Sequence, residues 1–191
     1  DPSVCGTGAG NVSGTNFTAA WSQTGQSWSS LNGGMSGDVL ALARLDDNIY
    51  AGGQFTSAGG VAAANIAAWS TTGSTWSPLA AGVSGSVAAL DATDDTLYVG
   101  GTFTTAGGIA GSNVASWSPS TNSWQSLTSG VNGSVSALDA TDDTVYVGGA
   151  FTTAGGVAAS KVAAWSRSSG TWSPLGAGVI GSVYALQFDE A

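Results

Sequence analysis

Short runs of apolar residues separated by polar turns recur along this chain. Residues 86–92 (Ser-Val-Ala-Ala-Leu-Asp-Ala) predict one strand, and residues 97–103 predict a second, with Leu97 and Val99 on one face and Tyr98 on the other. Two more strands are predicted at 113–117 and 123–127, after a Gly/Ala/Thr loop at 104–112. Helical periodicity is absent, and each glycine inside a helix would cost about 1 kcal/mol. The pattern therefore predicts units of four short strands.

This pattern repeats every 48 residues, as two tryptophan series show. All eight tryptophans belong to them: Trp21, Trp69, Trp117 and Trp165 form one series, and Trp28, Trp76, Trp124 and Trp172 form the other. A fixed period of this length indicates a solenoid, a propeller or another array. We therefore predict one repeat domain over residues 1–191, with a partial unit at 1–37, full units at 38–85, 86–133 and 134–181, and a partial first strand at 182–191.

Four strands per unit are typical of a β-propeller blade, and two segments resemble kelch repeats. Residues 98–101 (Tyr-Val-Gly-Gly) resemble the kelch strand with its glycine doublet, and residues 117–124 resemble the later kelch segment, which ends in Trp. Trp117 stands where kelch repeats usually have Tyr, and Ser118 where they often have Asp. The loop at 103–108 (Phe-Thr-Thr-Ala-Gly-Gly) is not standard kelch and is similar to a variant of secreted and cell-surface repeat proteins. The resemblance covers nearly the whole chain and implies an all-β propeller of four kelch-like blades, each with about four antiparallel strands.

The two ends of the sequence are complementary in the repeat. Residues 182–186 predict the first strand of a further unit, and the amino-terminal residues enter the repeat part-way through. Ser3, Val4 and Cys5 would supply a missing strand beside residues 183–188 and close a ring of four blades. Completion by a neighbouring chain is the alternative, because an open strand edge recruits partners. The sequence leaves both open.

Charge and composition restrict the partners and the location. The 191 residues include 3 basic and 12 acidic side chains and no histidine, for a net charge of −9. This balance argues against nucleic acid and against anionic membrane surfaces, and no run is long and apolar enough for membrane insertion. The single cysteine, Cys5, excludes a disulfide within the chain. The chain begins at Asp1 without Met, so we expect a processed or excised form.

Three sequons favour an extracellular or cell-surface glycoprotein. They begin at Asn11, Asn16 and Asn132 and are the candidate N-glycosylation sites. The low lysine content and the acidic composition agree with that location.

The acidic turns are the candidate metal site, and we expect no cofactor. Calcium takes oxygen ligands, so the Asp-x-x-Asp-Asp turns are calcium candidates, whereas hairpin capping is the structural alternative. Their residues are Asp91, Asp94, Asp95, Asp139, Asp142 and Asp143. We favour capping, because the acids recur once per unit.

Catalysis is not expected. Without histidine, the copper ligands of galactose oxidase and the Ser-His-Asp and Cys-His arrangements are excluded. Arg44 and Arg167 do not make the arginine cluster of a sialidase. The tryptophans recur at strand positions, which predicts core packing rather than sugar stacking. We therefore predict a protein that is not an enzyme.

The remaining positions suggest contacts with other molecules. Ile180 stands where other units have Ser36, Ser84 or Asn132, and Lys161 stands where other units have Asn. Ile180 and Cys5 are the candidate assembly contacts. We expect a structural or adhesive surface module that associates with itself or with other surface proteins. The alternative is a carbohydrate-binding propeller with one shallow glycan site per blade.

Overall fold

A computed structural model describes residues 19–22 and 27–187, and for residues 19–30 the backbone alone. The described chain is all-β, with no helix, and contains three four-stranded antiparallel sheets. The expectations for Cys5, Asn11, Asn16, the strand at 3–5 and residues 188–191 lie outside the described residues.

The strands follow the repeat, and each sheet is built in chain order. A two-stranded sheet comes first, formed by β1 (Ala19–Ser22) and β2 (Ser27–Ser30). Sheet 1 contains β3 (Asp38–Leu45), β4 (Asn48–Gln54), β7 (Ile66–Ser70) and β8 (Thr75–Pro78), with the small hairpin of β5 (Ser57–Ala58) and β6 (Val61–Ala62) between its second and third strands. Sheet 2 contains β9 (Ser86–Ala92), β10 (Leu97–Thr102), β13 (Val114–Ser118) and β14 (Ser123–Ser126), with the hairpin of β11 (Thr105–Ala106) and β12 (Ile109–Ala110). Sheet 3 contains β15 (Ser134–Ala140), β16 (Thr144–Ala150), β19 (Val162–Ser166) and β20 (Thr171–Pro174), with the hairpin of β17 (Thr153–Ala154) and β18 (Val157–Ala158).

The loop predicted at 104–112 contains a hairpin, which the sequence analysis missed. Ala106 pairs with Ile109 around Gly107 and Gly108, whose φ angles are 58° and 85°. Positive φ at both central residues is the two-residue turn that matches the twist of a hairpin, and glycine adopts it without strain. The Ala-Gly-Gly sequence therefore forms a tight turn instead of an irregular loop, and the other two units repeat it.

The strand predicted at 182–186 is not formed. Residues 182–187 have no strand assignment and pair with no other described strand. A strand is defined by its ladder to a neighbour, and the structure describes no second strand beside this segment. Val183 N–H still donates to the Gly149 carbonyl of sheet 3, at 3.2 Å.

Neighbouring sheets share their buried side chains. Tyr50 of sheet 1 packs in one cluster with Leu97 of sheet 2, and Tyr98 of sheet 2 packs in another with Val145 of sheet 3. Burial of apolar surface in these clusters is the main force that holds the units together.

The glycine doublet of each second strand permits a close approach. A Cβ on Gly100 would meet Val135 of the next sheet, and a Cβ on Gly101 would meet the backbone oxygen of Ser86 in the same sheet. Beside the doublet, Ala88 is an extra residue of β9, where the register shifts in a β-bulge. The predicted close packing at the glycine pair is therefore present.

Candidate functional site

The tryptophan on the fourth strand of sheets 2 and 3 forms a hydrogen bond to the linker, the segment that joins its sheet to the preceding one. Trp124 of β14 donates its indole N–H to the Leu79 carbonyl at 3.0 Å, and Trp172 of β20 donates to the Leu127 carbonyl at 3.0 Å. Each ring also packs 5.3 Å from the tryptophan that faces it on the third strand. The rings are buried, with Trp165 partly so, so the described tryptophans serve packing and leave no free stacking face.

A polar clamp fixes each protruding hairpin to the preceding linker. Ser84 Oγ accepts the N–H groups of Thr104 and Thr105, at 3.1 and 3.0 Å. Asn132 Oδ1 accepts from Thr152 and Thr153 in the same way, at 2.8 and 2.9 Å. Asn132, the described sequon residue, is exposed, and its side chain already binds the hairpin of β17 and β18.

A second clamp uses asparagine at the start of the third strand. Asn113 Oδ1 accepts the N–H of Phe103 at 3.2 Å, and its Nδ2 donates to the Val131 carbonyl at 2.9 Å. Asn65 makes the same two bonds in sheet 1. Lys161 and Ile180 replace the two clamp residues in and after sheet 3. Neither can accept a backbone N–H, because an ammonium only donates and Ile180 has no polar group.

The first strands of the three sheets end around one cavity. It has a volume of about 690 Å³ and is lined by residues 44–46, 92–94 and 139–142. Asp46, Asp94, Asp139 and Asp142 line it together with Arg44. The sequence shows that acids recur at these turns, but only the packing of the three sheets brings them to one cavity, which favours cations over anions by simple Coulomb attraction.

Asp91 lies at the same end and joins two sheets. Its Oδ1 accepts the N–H of Ala92 at 2.9 Å, and its Oδ2 accepts the N–H of Ala140 of sheet 3 at 2.6 Å. Burial raises the pKa of this carboxyl, and the two backbone hydrogen bonds partly oppose that rise. The bonds identify Asp91 as a structural link between sheets 2 and 3.

Asp95 is placed apart from the cavity acids, in an ion pair with Arg167. The carboxylate lies 2.9 Å from Arg167 Nη2, and it accepts the Thr96 hydroxyl at 2.8 Å. The Thr96 hydrogen bond is the main cause of its lowered pKa, and Arg167 adds to it. Arg167 also binds the backbone carbonyls of Asp142 and Asp143 through its side chain and its N–H. The calcium candidates are thus divided between two places.

No metal centre is formed by the described residues. Within residues 27–187, no three acidic, cysteine or histidine side chains come together as ligands for an ion. In the acidic turn at 141–144 the turn bonds come from threonine: the Thr144 N–H donates to the Thr141 hydroxyl, which donates to the Thr144 carbonyl. No helix in the described part of the chain could cross a membrane.

The small hairpins present an apolar side chain that recurs once per unit. Val61, Ile109 and Val157 occupy equivalent positions and are 41, 39 and 46 % exposed. Each hairpin packs on the tryptophan of its own fourth strand, because the backbone of Gly107 approaches Trp124 and that of Gly155 approaches Trp172. The sequence analysis missed these positions, although the apolar residue after each Gly-Gly pair was a visible signal.

Comparison by sequence identifies no relative, and comparison by structure identifies designed proteins. No protein family matches the chain, and no curated protein does. The crystal structure of the computationally designed Ika4 protein is similar with a TM-score of 0.59 at 21 % identity, over 82 % of this chain and 83 % of that one. The computationally designed Ika8 protein gives 0.62 at 20 % identity, over 92 % of this chain and half of that one. At such identities the similarity concerns the fold alone, an all-β chain of repeated sheets.

Proposed function

We propose that this chain is a kelch-like β-propeller that acts outside the cell as a structural or adhesive interaction module, without catalysis. Three observations support the ring. The first strands of sheets 1 to 3 converge on one cavity, neighbouring sheets share buried clusters, and residues 182–187 begin a further unit beside sheet 3. A fourth blade, completed by the chain's own termini or by a neighbouring chain, would close the circle.

The observation that carries the function is the set of three apolar hairpin tips. Val61, Ile109 and Val157 are each more than one-third exposed at the same place in successive units. Exposed β-branched residues that recur in register form several equal contact points. Individually weak contacts gain strength when several engage one surface together. This arrangement suits adhesion to a repetitive or extended apolar surface.

The tips are held rigidly, which reduces the entropy lost on binding. The hairpin of β11 and β12 is clamped by Ser84, bridged by Val83 to Ala106, and packed on Trp124. Side chains that are ordered before contact lose little freedom on association. Sheet 3 holds its hairpin in the same way through Asn132 and Trp172.

The test is an adhesion assay with beads coated by the full chain. The triple variant Val61→Asp/Ile109→Asp/Val157→Asp places a charge on each tip, and the matched control Thr72→Asp/Ser120→Asp/Ser168→Asp places three charges on equivalent exposed turns. We expect beads coated with the native chain or the control to adhere to an alkyl-coated surface, and beads coated with the tip variant to stay free in solution. Equal adhesion by the tip and control variants, or none by the native chain, would refute the proposal.

The glycan-binding alternative has no observation in its favour. It needs an exposed aromatic ring in each unit, whereas the tryptophan, tyrosine and phenylalanine rings of the three described units are buried or partly buried. Tyr184, the exposed aromatic residue among those described, lies outside the complete units.

A further inference from the structure

The residues that follow sheet 3 lack the cover that their equivalents have after sheets 1 and 2. Leu79 and Val83 follow sheet 1 and are 1 and 2 % exposed, because sheet 2 packs on them. Leu175 and Val179 follow sheet 3 at the same repeat positions and are 38 and 45 % exposed. Ile180 is fully exposed. We call Leu175, Val179, Ile180 and Tyr184, with the backbone of residues 182–187, the C-terminal face.

The C-terminal face keeps the geometry on which the other units are built. Val183 and Leu186 approach Gly148 of sheet 3 as Val135 and Leu138 approach Gly100 of sheet 2. The backbone of residues 182–187 thus lies where a first strand lies, with no second strand described beside it. The other junctions show what covers such a face: a unit of the same repeat, with its tryptophan N–H on the leucine carbonyl.

Two substitutions remove the accepting side chains that the other junctions have. Ile180 replaces Ser84 and Asn132, whose side chains accept two N–H groups of the next hairpin. Lys161 replaces Asn113, whose amide binds the linker carbonyl. Neither Ile180 nor Lys161 can accept a backbone N–H, so both accepting contacts are absent, and at position 180 an exposed apolar side chain takes the place of the polar one. An apolar patch without polar clamps is characteristic of the centre of an intersubunit contact.

We propose that the C-terminal face binds a second copy of this chain through the hairpin of β1 and β2, in a head-to-tail contact. This inference rests on the proposed interaction function and names its self-association surface. The hairpin pairs Trp21 with Trp28 in the register in which the third and fourth strands of sheets 1 to 3 pair their tryptophans. The hairpin corresponds to the third and fourth strands of a unit, whereas residues 182–187 of the C-terminal face correspond to the first strand.

The contact is heterologous, since it joins different ends of two copies. Such contacts form closed rings or open filaments according to the rotation between copies. Its chemistry is that of the existing junctions, in which apolar side chains are buried around the residues equivalent to Leu175 and Val179.

The test is sedimentation velocity of the full chain over a range of concentrations. The variant Val179→Asp places a charge in the proposed contact, and Ser168→Asp is the control, because it places the same charge on an exposed turn of sheet 3 outside the contact and the tips. We expect the native chain and the control to associate with increasing concentration. We expect Val179→Asp to remain a single chain, with its dissociation constant raised at least about tenfold.

A second variant excludes a folding artefact. Ile180→Ser introduces serine, the residue at the equivalent position 84 between sheets 1 and 2. Ile180 is fully exposed, so the change leaves the fold intact. We expect it to weaken association severalfold. A native chain that stays single at every concentration overturns the inference, as does association that is equal in Val179→Asp and Ser168→Asp. Loss of unfolding free energy in Val179→Asp without any native association shows that the chain's own hairpin covers the face, which also overturns it.

The two proposals fail separately. Failure of the bead assay with the tip variant removes the adhesive function but leaves sedimentation unaffected. Failure of Val179→Asp to change sedimentation removes the head-to-tail contact but leaves adhesion of the beads to an apolar surface through the tips unaffected.

Discussion

At the scale of single residues, position 161 shows how one side chain changes a repeated junction. Asn65, Asn113 and Lys161 all have left-handed backbone, with φ angles of 63°, 64° and 68°. Asparagine tolerates this conformation better than lysine does. The two asparagine side chains also bind a linker carbonyl and the N–H of the phenylalanine that follows the second strand. Lysine tolerates the left-handed backbone less well and cannot form both of these bonds.

We predict that Lys161→Asn stabilises the chain by about 1 kcal/mol, through the relief of strain and the restored amide bonds. Urea unfolding followed by tryptophan fluorescence measures it. The reverse change, Asn113→Lys, is the control and should cost about 1–3 kcal/mol, because it leaves a buried junction without its partners. Equal stability of all three chains would contradict this prediction.

The second prediction at residue scale concerns pH and Asp91. Burial raises the pKa of this carboxyl in the folded chain. Its contribution to stability is therefore complete below the unfolded pKa of about 3.9 and is lost as pH rises through the raised folded value. We expect the free energy of unfolding of the native chain, relative to Asp91→Asn, to fall across that interval.

The measurement is urea unfolding of both chains between pH 3.5 and 7, and the asparagine variant does not titrate at this position. The difference should level off on either side of the interval. A difference that rises with pH would show that the two backbone hydrogen bonds outweigh burial.

At the scale of strands and sheets, the glycine doublet determines how closely two sheets approach. A Cβ on Gly100 would collide with Val135 of sheet 3, which is a side chain, whereas a Cβ on Gly101 would collide with the backbone of Ser86. A side-chain collision is relieved by shortening the side chain, and a backbone collision is not.

We therefore predict that Gly100→Ala destabilises the chain by about 1–3 kcal/mol through overpacking. Adding Val135→Ala should recover part of that loss beyond what additivity of the two single changes predicts. The same second change should give no recovery to Gly101→Ala. A double-mutant cycle by thermal unfolding measures both, and full additivity at Gly100 would contradict the account.

At the scale of the whole molecule, sheet 2 is the one complete sheet among those described that is packed between two others. Its first strand lies against Gly52 of sheet 1, and its second strand receives Val135 of sheet 3. Local opening of sheet 2 therefore breaks two interfaces, whereas opening of residues 182–187 breaks one.

We predict that amide hydrogens of β9, β10 and β13 exchange most slowly, and that those of residues 182–187 exchange at least about tenfold faster. Hydrogen exchange followed by mass spectrometry measures the order at a concentration below that of association. Uniform protection along the repeat would show that residues 182–187 are held on sheet 3 as firmly as sheets 1 to 3 are held on one another.

The sequence alone determined the all-β class, the unit of four strands and the full or partial burial of the tryptophans from Trp69 to Trp172, because a period of 48 residues repeats the local pattern unchanged. Strand alternation and turn residues are local properties, so β9 is found at its predicted bounds. The hairpin of β11 and β12 was missed because its strands have two residues each, too short for any alternation to appear.

Only the tertiary structure decided which residues meet. Asp46, Asp94 and Asp139 share a cavity because three first strands converge, and Asp95 meets Arg167 across 72 residues of sequence. The burial of Val83 is also decided by packing. Val83 and Val179 occupy the same position in the repeat, but among the described residues only Val83 is followed by a four-stranded sheet that packs on it.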